Sequence, residues 1–174
     1  MARKQPDLTI NGLVLPAHAV GKIMQEYAPI GGFSTMRLGA GTGIRQTRWR
    51  KLATTLSASG LIPPGTAAIN WDLPVVLGCV EPRSIQSVSP VITLPAARRS
   101  DAAPYALAVV DDGRKLRATP VSVAGDVATL DVIAGASAYL VYYYPLLTVL
   151  TDGPTERFDA QECISGWDLQ AEEV

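Results

Sequence analysis

Apolar and polar residues alternate with a period of two through most of this chain, and turn-forming residues separate the alternating runs. Asp112-Gly113 lies between two such runs, YALAVV and RKLRATPVSV, and Gly125-Asp126 interrupts the run that follows. A period of two is that of a β-strand, and Asp-Gly favours a tight hairpin. The pattern predicts a mainly β fold with little helix, an antiparallel β-sandwich or barrel of roughly ten short strands.

A glycine-rich stretch, LGAGTGI, runs from Leu38 to Ile44. Such a stretch can cradle a phosphate when it follows a parallel strand and opens a helix. Here the next residues, IRQTRWRKL, alternate like a returning strand. We therefore expect a hairpin tip, with glycines supplying positive φ angles.

The composition is that of a folded protein. The chain has 174 residues, of which 48% are hydrophobic and 18% are charged, and this balance favours a globular core over disorder. We expect a single β-rich domain over residues 1–174. A loop at 95–104, within LPAARRSDAAP, marks a candidate division into two β halves, 1–97 and 104–174.

Net charge and apolar runs bear on possible partners. A formal net charge of -1 gives no general attraction to nucleic acid or to an anionic membrane. The longest apolar run, AYLVYYYPLLTVL, contains Pro145 and falls short of the roughly 20 residues of a membrane-spanning helix. The start, MARKQPDLTING, turns polar after its positive charges, so we expect no secretory signal and synthesis in a cytoplasm.

Residues that could support catalysis or metal binding are few. His18 is the one histidine, and the chain has no G-x-S-x-G motif to present a nucleophile beside it. Cys79 and Cys163 have neither the C-x-x-C nor the histidine spacing of a zinc site, and we expect both thiols to be buried. The prediction is a protein with no enzymatic activity, no metal and no cofactor.

A basic run and a tyrosine-rich run are candidate interface residues. In RQTRWRK, strict alternation would place Arg48 and Arg50 on one face and Trp49 on the other. This separation favours a protein interface over a nucleic-acid stripe, because Arg is enriched at protein contacts. In YLVYYYP, alternation places two tyrosines on one face, although a place in the core is the alternative. The candidate interface residues are Arg45, Arg48, Arg50, Tyr142 and Tyr144.

Several motifs occur in an order that resembles small tail proteins of long-tailed bacteriophages. They are RQTRWRKLATTLSASGLIPPG (45–65), INWDLPVVLGCVEPRSI (69–85), the stretch from DDGRKL to LTDGP (111–154), and the closing GWDLQAEE (166–173). The resemblance covers the chain from about Gly31 onward. Leu61 stands where the family more often has tryptophan after Ser-Gly.

The resemblance implies a virion structural protein of the tail tip or baseplate, in a distal-tail or adaptor-like role. It implies a subunit of a ring around the tail axis that contacts itself and other phage tail proteins and assembles in the host cytoplasm. It implies no catalytic residues. The alternative is a β-sandwich module that recognises host-surface carbohydrate through Trp49, Trp71 or Trp167, since NWD and GWD place tryptophan beside a carboxylate. Trp71 and Trp167 are equally suited to be core anchors.

Overall fold

The computed structural model describes residues 5–174, and in that range the protein is all-β. Fifteen strands are present, and their sheets are antiparallel and do not close into a barrel. The mainly β prediction is therefore confirmed. No membrane-spanning helix is found among residues 5–174. The expectation that the chain has no secretory signal concerns its N-terminal stretch, and residues 1–4 of that stretch lie outside the described residues.

The strands are β1 (Thr9–Ile10), β2 (Leu13–Val14), β3 (Lys22–Arg37), β4 (Gly43–Gly60), β5 (Val75–Gly78), β6 (Arg83–Ser87), β7 (Val91–Thr93), β8 (Tyr105–Val110), β9 (Lys115–Thr119), β10 (Val121–Ala124), β11 (Val127–Leu130), β12 (Ala136–Tyr143), β13 (Leu146–Leu150), β14 (Thr155–Asp159) and β15 (Ile164–Glu173).

The chain forms two compact units, each assembled from two separate segments. The first unit combines the N-terminal residues through Gly12 with Leu77–Leu147, and the second combines Leu13–Val76 with Thr148–Val174. The loop at 95–104, where the sequence suggests a division, lies inside the first unit.

The first unit contains two small sheets that share one apolar core. One sheet has the order β6-β12-β8-β9 and the other β10-β11-β7. Tyr139, Val141 and Tyr143 of β12 pack in one cluster with Ile92 and Ala128 of the other sheet, as in a sandwich. The hairpin predicted at Asp112-Gly113 is confirmed: β8 and β9 pair from Val110 and Lys115 onward.

A buried arginine organises the connections of the first unit. The Arg99 side chain is 2% exposed, and its Nη1 donates to the carbonyl oxygens of Asp7 (2.7 Å), Gly78 (3.0 Å) and Cys79 (3.0 Å). Its Nε and Nη2 donate to the two carboxylate oxygens of Asp101 at 2.9 and 2.6 Å. This hydrogen bonding from Arg99 lowers the pKa of Asp101 below its ordinary value of 3.8. We call this set of contacts the Arg99 clamp.

The second unit is built around a sheet with the order β13-β15-β4-β3, and β14 also pairs with β15. Trp167 of β15 is 1% exposed, and its Nε1 donates to the carbonyl oxygen of Ala19 at 3.0 Å. Leu56 and Leu169 are buried beside it in register on β4 and β15. Trp167 is therefore a core anchor of this unit, since its ring is desolvated and its N–H is satisfied.

Two strands of the second unit are much longer than the short strands expected from the sequence. β3 has 16 residues and β4 has 18, and they pair continuously from Lys22 opposite Ser59 to Arg37 opposite Gly43. An ordinary strand has about five or six residues. The extra length projects beyond the rest of the sheet and forms the candidate site.

Candidate interaction surface: the β3–β4 arm

The outer part of the β3–β4 hairpin is a two-stranded ribbon, residues 29–52, which we call the arm. β15 covers β4 only as far as the pair Glu172–Ala53, and Ala53 pairs with Ala28 on β3. Beyond that pair neither strand has another strand partner among residues 5–174. From Pro29 to Arg37 the ribbon extends roughly 26 Å, at about 3.3 Å per residue.

No residue of the arm is buried. Both of its faces are open, and β3 is an edge strand of the sheet along its whole length. A lone two-stranded hairpin is marginally stable in water because it buries little apolar surface. Large apolar side chains are nevertheless placed on it, with exposures from 41% to 53%: Phe33, Met36, Leu38, Ile44 and Trp49.

The arm is also strongly cationic. No acidic residue occurs between Glu26 and Asp72, so the positive charges of the arm have no compensating charge within it. Among the described residues none of these cations forms an ion pair. The five are Arg37, Arg45, Arg48, Arg50 and Lys51.

A β-bulge lies in the middle of the arm. Gly32 pairs with Trp49 and Phe33 pairs with Thr47, so Arg48 is an extra residue on β4. A bulge breaks the alternation of faces. The prediction that Arg48 and Arg50 share a face opposite Trp49 assumed strict alternation, so it does not follow for this strand.

Two glycines make room for this bulge on the facing strand. A Cβ on Gly31 would meet the carbonyl oxygen of Trp49, and a Cβ on Gly32 would lie 2.7 Å from the Nε1 of Trp49. The indole therefore lies across the bare backbone of β3 while remaining 51% exposed. An indole over a cross-strand glycine is a known means of stabilising a ribbon.

Contacts near the tip keep the arm ordered. The guanidinium of Arg45 lies 4.3 Å from the centre of the Phe33 ring, a cation–π contact. Arg37 Nη1 donates to the carbonyl oxygen of Gly41 at 3.1 Å, and the Leu38 N–H donates to the carbonyl oxygen of Thr42 at 2.9 Å. Gly41 has a φ of 82°. The expected hairpin tip at LGAGTGI is confirmed, and the alternative of a phosphate cradle is wrong because β4, not a helix, follows it.

The base of the arm is held by the C-terminal strand. The Leu52 N–H donates to Oε2 of Glu173 at 2.9 Å. Thr54 Oγ1, also on β4, donates to the carbonyl oxygen of Glu26 on the paired strand β3 at 2.8 Å. The ribbon therefore projects from a hydrogen-bonded base, and its outer residues are presented to solvent.

The two tyrosines of the predicted interface belong to the first unit, whereas the arginines belong to the second. Tyr142 is half-buried and stacks on Tyr105, with ring centroids 4.6 Å apart. Tyr144 is 4% exposed and lines a cleft of about 330 Å³ with Asp7 and Asp101. The arm therefore contains Arg45, Arg48 and Arg50 of the predicted interface residues, and it does not contain Tyr142 or Tyr144.

His18 is exposed in the turn that follows Pro16, and its carbonyl oxygen accepts a hydrogen bond from Leu61 N–H at 2.7 Å. No group of three or more His, Cys, Asp or Glu side chains within residues 5–174 is placed to hold a metal ion.

The three tryptophans differ in exposure. Trp167 is buried, Trp71 is half-buried with its indole against Gly153, and Trp49 is exposed. A glycan-binding platform needs an exposed ring, so Trp49 is the strongest of the three candidates for it. Its neighbours along β4 are arginines rather than the carboxylates or amides expected around a sugar.

The two cysteines also differ, and this difference gives a prediction. Cys79 is buried, as expected, but Cys163 is exposed in the turn between β14 and β15, so the prediction of two buried thiols is wrong for Cys163. We expect one thiol to react with an aromatic disulfide reagent in the native protein and a second to react only in denaturant. A Cys163→Ser variant should lose the first reaction; fast reaction of two native thiols would contradict the burial of Cys79.

No protein-family model, curated protein or solved structure matches this chain.

Proposed function

We propose that this chain is a non-enzymatic structural subunit of a bacteriophage tail tip or baseplate, which assembles with copies of itself and with other tail proteins through the arm. In this role it occupies a distal-tail or adaptor-like position in the virion, after assembly in the host cytoplasm.

The arm is the observation that carries the proposal. It combines five cations with five large exposed apolar side chains on a ribbon that buries none of its own residues. Arg and aromatic residues are enriched where proteins contact each other. Large apolar side chains exposed together in a monomer also point to an interaction site. Docking on a protein partner would cover both the apolar side chains and the exposed strand edges.

The assignment to a phage tail is supported by the ordered motifs of the sequence, from the basic run through the Pro-Pro-Gly corner to the closing GWDLQAEE. The all-β architecture is compatible with the ring subunit that this resemblance implies. The proposal therefore has two parts. Assembly through the arm rests on the geometry of the exposed ribbon, and the more specific assignment to a phage tail rests on the sequence motifs.

Electron microscopy of the purified chain tests the proposal. We expect negatively stained samples to show closed rings of one size, and an antibody against the chain to label the distal tail of intact virions. A chain that stays monomeric at high concentration, and whose tryptophan fluorescence shifts on adding host-surface glycans, would replace the structural proposal with the carbohydrate-binding alternative.

A further inference from the structure

A second surface of the same unit is opposite to the arm in charge. We call residues 152–168 the acidic hairpin; they contain β14 and the first half of β15, which pair from Thr155–Asp168 to Asp159–Ile164. Five acidic side chains and a single arginine occur in this range. Arg157 is paired with Asp168 at 2.7 Å, so the remaining negative charge belongs to four exposed carboxylates: Asp152, Glu156, Asp159 and Glu162.

We infer that the arm of one copy docks on the acidic hairpin of the next copy. This inference rests on the proposed function and names the partner of the arm as a second copy of this chain. Among the described residues no ion pair joins the arm to these carboxylates within one molecule. Opposite charges on the two surfaces would steer the encounter and fix its register.

The two surfaces also match in their apolar groups and strand edges. Phe158 of β14 is 66% exposed and Ile164 is 38% exposed, and the arm likewise exposes large apolar side chains, among them Phe33 and Trp49. All five residues of β14 are exposed, and β15 is its one partner strand in the described residues. An edge strand of this kind can accept a further strand through its backbone hydrogen bonds. The contact therefore offers burial and backbone pairing as well as charge.

The geometry of this contact has a consequence for the assembly. The arm and the acidic hairpin are different patches of one molecule, so the contact is heterologous, running from head to tail. Such contacts generate a closed ring when the rotation between neighbours permits and a filament when it does not. Each copy would give its arm to one neighbour and its acidic hairpin to the other.

Charge exchange tests the inference. The arm variant is Arg45→Glu, Arg48→Glu and Arg50→Glu together. The hairpin variant is Asp152→Lys, Glu156→Lys and Glu162→Lys together. Asp159 is left unchanged because its carboxylate accepts the turn N–H groups of Gln161 and Glu162 at 2.8 and 3.2 Å. A matched control reverses two exposed arginines of the β8–β9 hairpin, Arg114→Glu and Arg117→Glu.

We expect each variant alone to lose self-association, with a dissociation constant raised on the order of 100-fold or more by like-charge contact. Their equimolar mixture should recover association, because the reversed arm of one variant then meets the reversed hairpin of the other, and the unreversed arm of the second meets the unreversed hairpin of the first. The recovered species is expected to contain the two variants in equal numbers and in alternation, because only contacts between unlike variants join opposite charges. The control should associate as the unmodified chain does, and association of the unmodified chain should weaken with added salt.

The outcomes separate the inference from the proposed function. If the unmodified chain associates and both variants associate equally well, the inference is overturned and the proposed function stands. If the variants fail alone and in the mixture, the two surfaces do not contact each other and the inference is again overturned. If the unmodified chain does not associate at any concentration, the proposal of a self-assembling subunit fails as well. Circular dichroism of each variant establishes that the reversals at these exposed positions leave the fold intact.

Discussion

Replacement of Arg99 by methionine is expected to lower the free energy of unfolding by about 3–6 kcal/mol, because the buried carbonyls of Gly78 and Cys79 each lose a hydrogen bond from a charged donor, worth about 1.5–3 kcal/mol. The Arg99 clamp supplies hydrogen bonds to three backbone carbonyls and to a carboxylate. Methionine can fill part of the volume, but it donates no hydrogen bond.

Urea denaturation followed by circular dichroism measures this loss. The matched control is Arg117→Met, at an exposed position of β9 in the same unit, where a change within about 0.5 kcal/mol is expected. Equal stabilities of the Arg99→Met and Arg117→Met variants would show that the clamp does not stabilise the fold.

The contact between Arg99 and Asp101 also predicts how the free energy of unfolding depends on pH. Hydrogen bonding from Arg99 lowers the pKa of Asp101 in the folded chain. The ionised carboxyl therefore stabilises the fold above its ordinary pKa of 3.8, and this contribution is lost as pH falls through the lower folded value. The Asp101 side chain is 63% exposed, so solvent screening reduces the contribution. The Arg99→Met variant should lack this part of the acid dependence.

Local patterns were sufficient to predict the class of fold. Asp112-Gly113 and Gly41 lie in turns with positive φ angles, and the strands that flank them have the period of two seen in the sequence. These features depend on neighbouring residues, so a single sequence displays them. The burial of Trp167 was one of two readings that the sequence left open, because an indole beside a carboxylate suits a core as well as a sugar site.

Features that depend on distant residues were not predicted. The arm has the alternation of any strand, and what makes it an arm is that β15 ends opposite Ala53. The clamp joins Arg99 to Asp7 and Gly78, far away along the chain, and Arg98-Arg99 in the sequence has the composition of a solvated loop. A Cβ at Gly78 would collide with Thr9 Oγ1 and would also lie 3.3 Å from the Arg99 guanidinium carbon, but a glycine in the sequence does not identify these neighbours.

The acidic hairpin was missed for a similar reason. Its first strand, β14, lies in the segment DGPTERFD, whose turn-forming residues suggest a loop. Its pairing with β15 makes it a strand, and that pairing is a property of the folded unit. The charge of the segment was visible in the sequence, but its complementarity to the arm appears only once both are seen as exposed ribbons of one unit.

Removal of the arm is expected to abolish self-association while leaving the rest of the chain folded. Ala28 and Ala53 pair directly, so residues 29–52 can be replaced by Asn-Gly, which favours the two-residue turn of a tight hairpin. The arm contributes no buried side chain, and the burial of Trp167 does not depend on it. The melting temperature should therefore change little. A further full-length control carries Arg114→Glu and Arg117→Glu, which alter exposed charge elsewhere.

Sedimentation velocity of the full chain beside the arm-replaced chain tests the central claim most directly. The account predicts a discrete oligomer for the full chain and for the charge control, and a folded monomer for the arm-replaced chain. An arm-replaced chain that sediments as the same oligomer, or a full chain that remains monomeric across the concentration range, would contradict it.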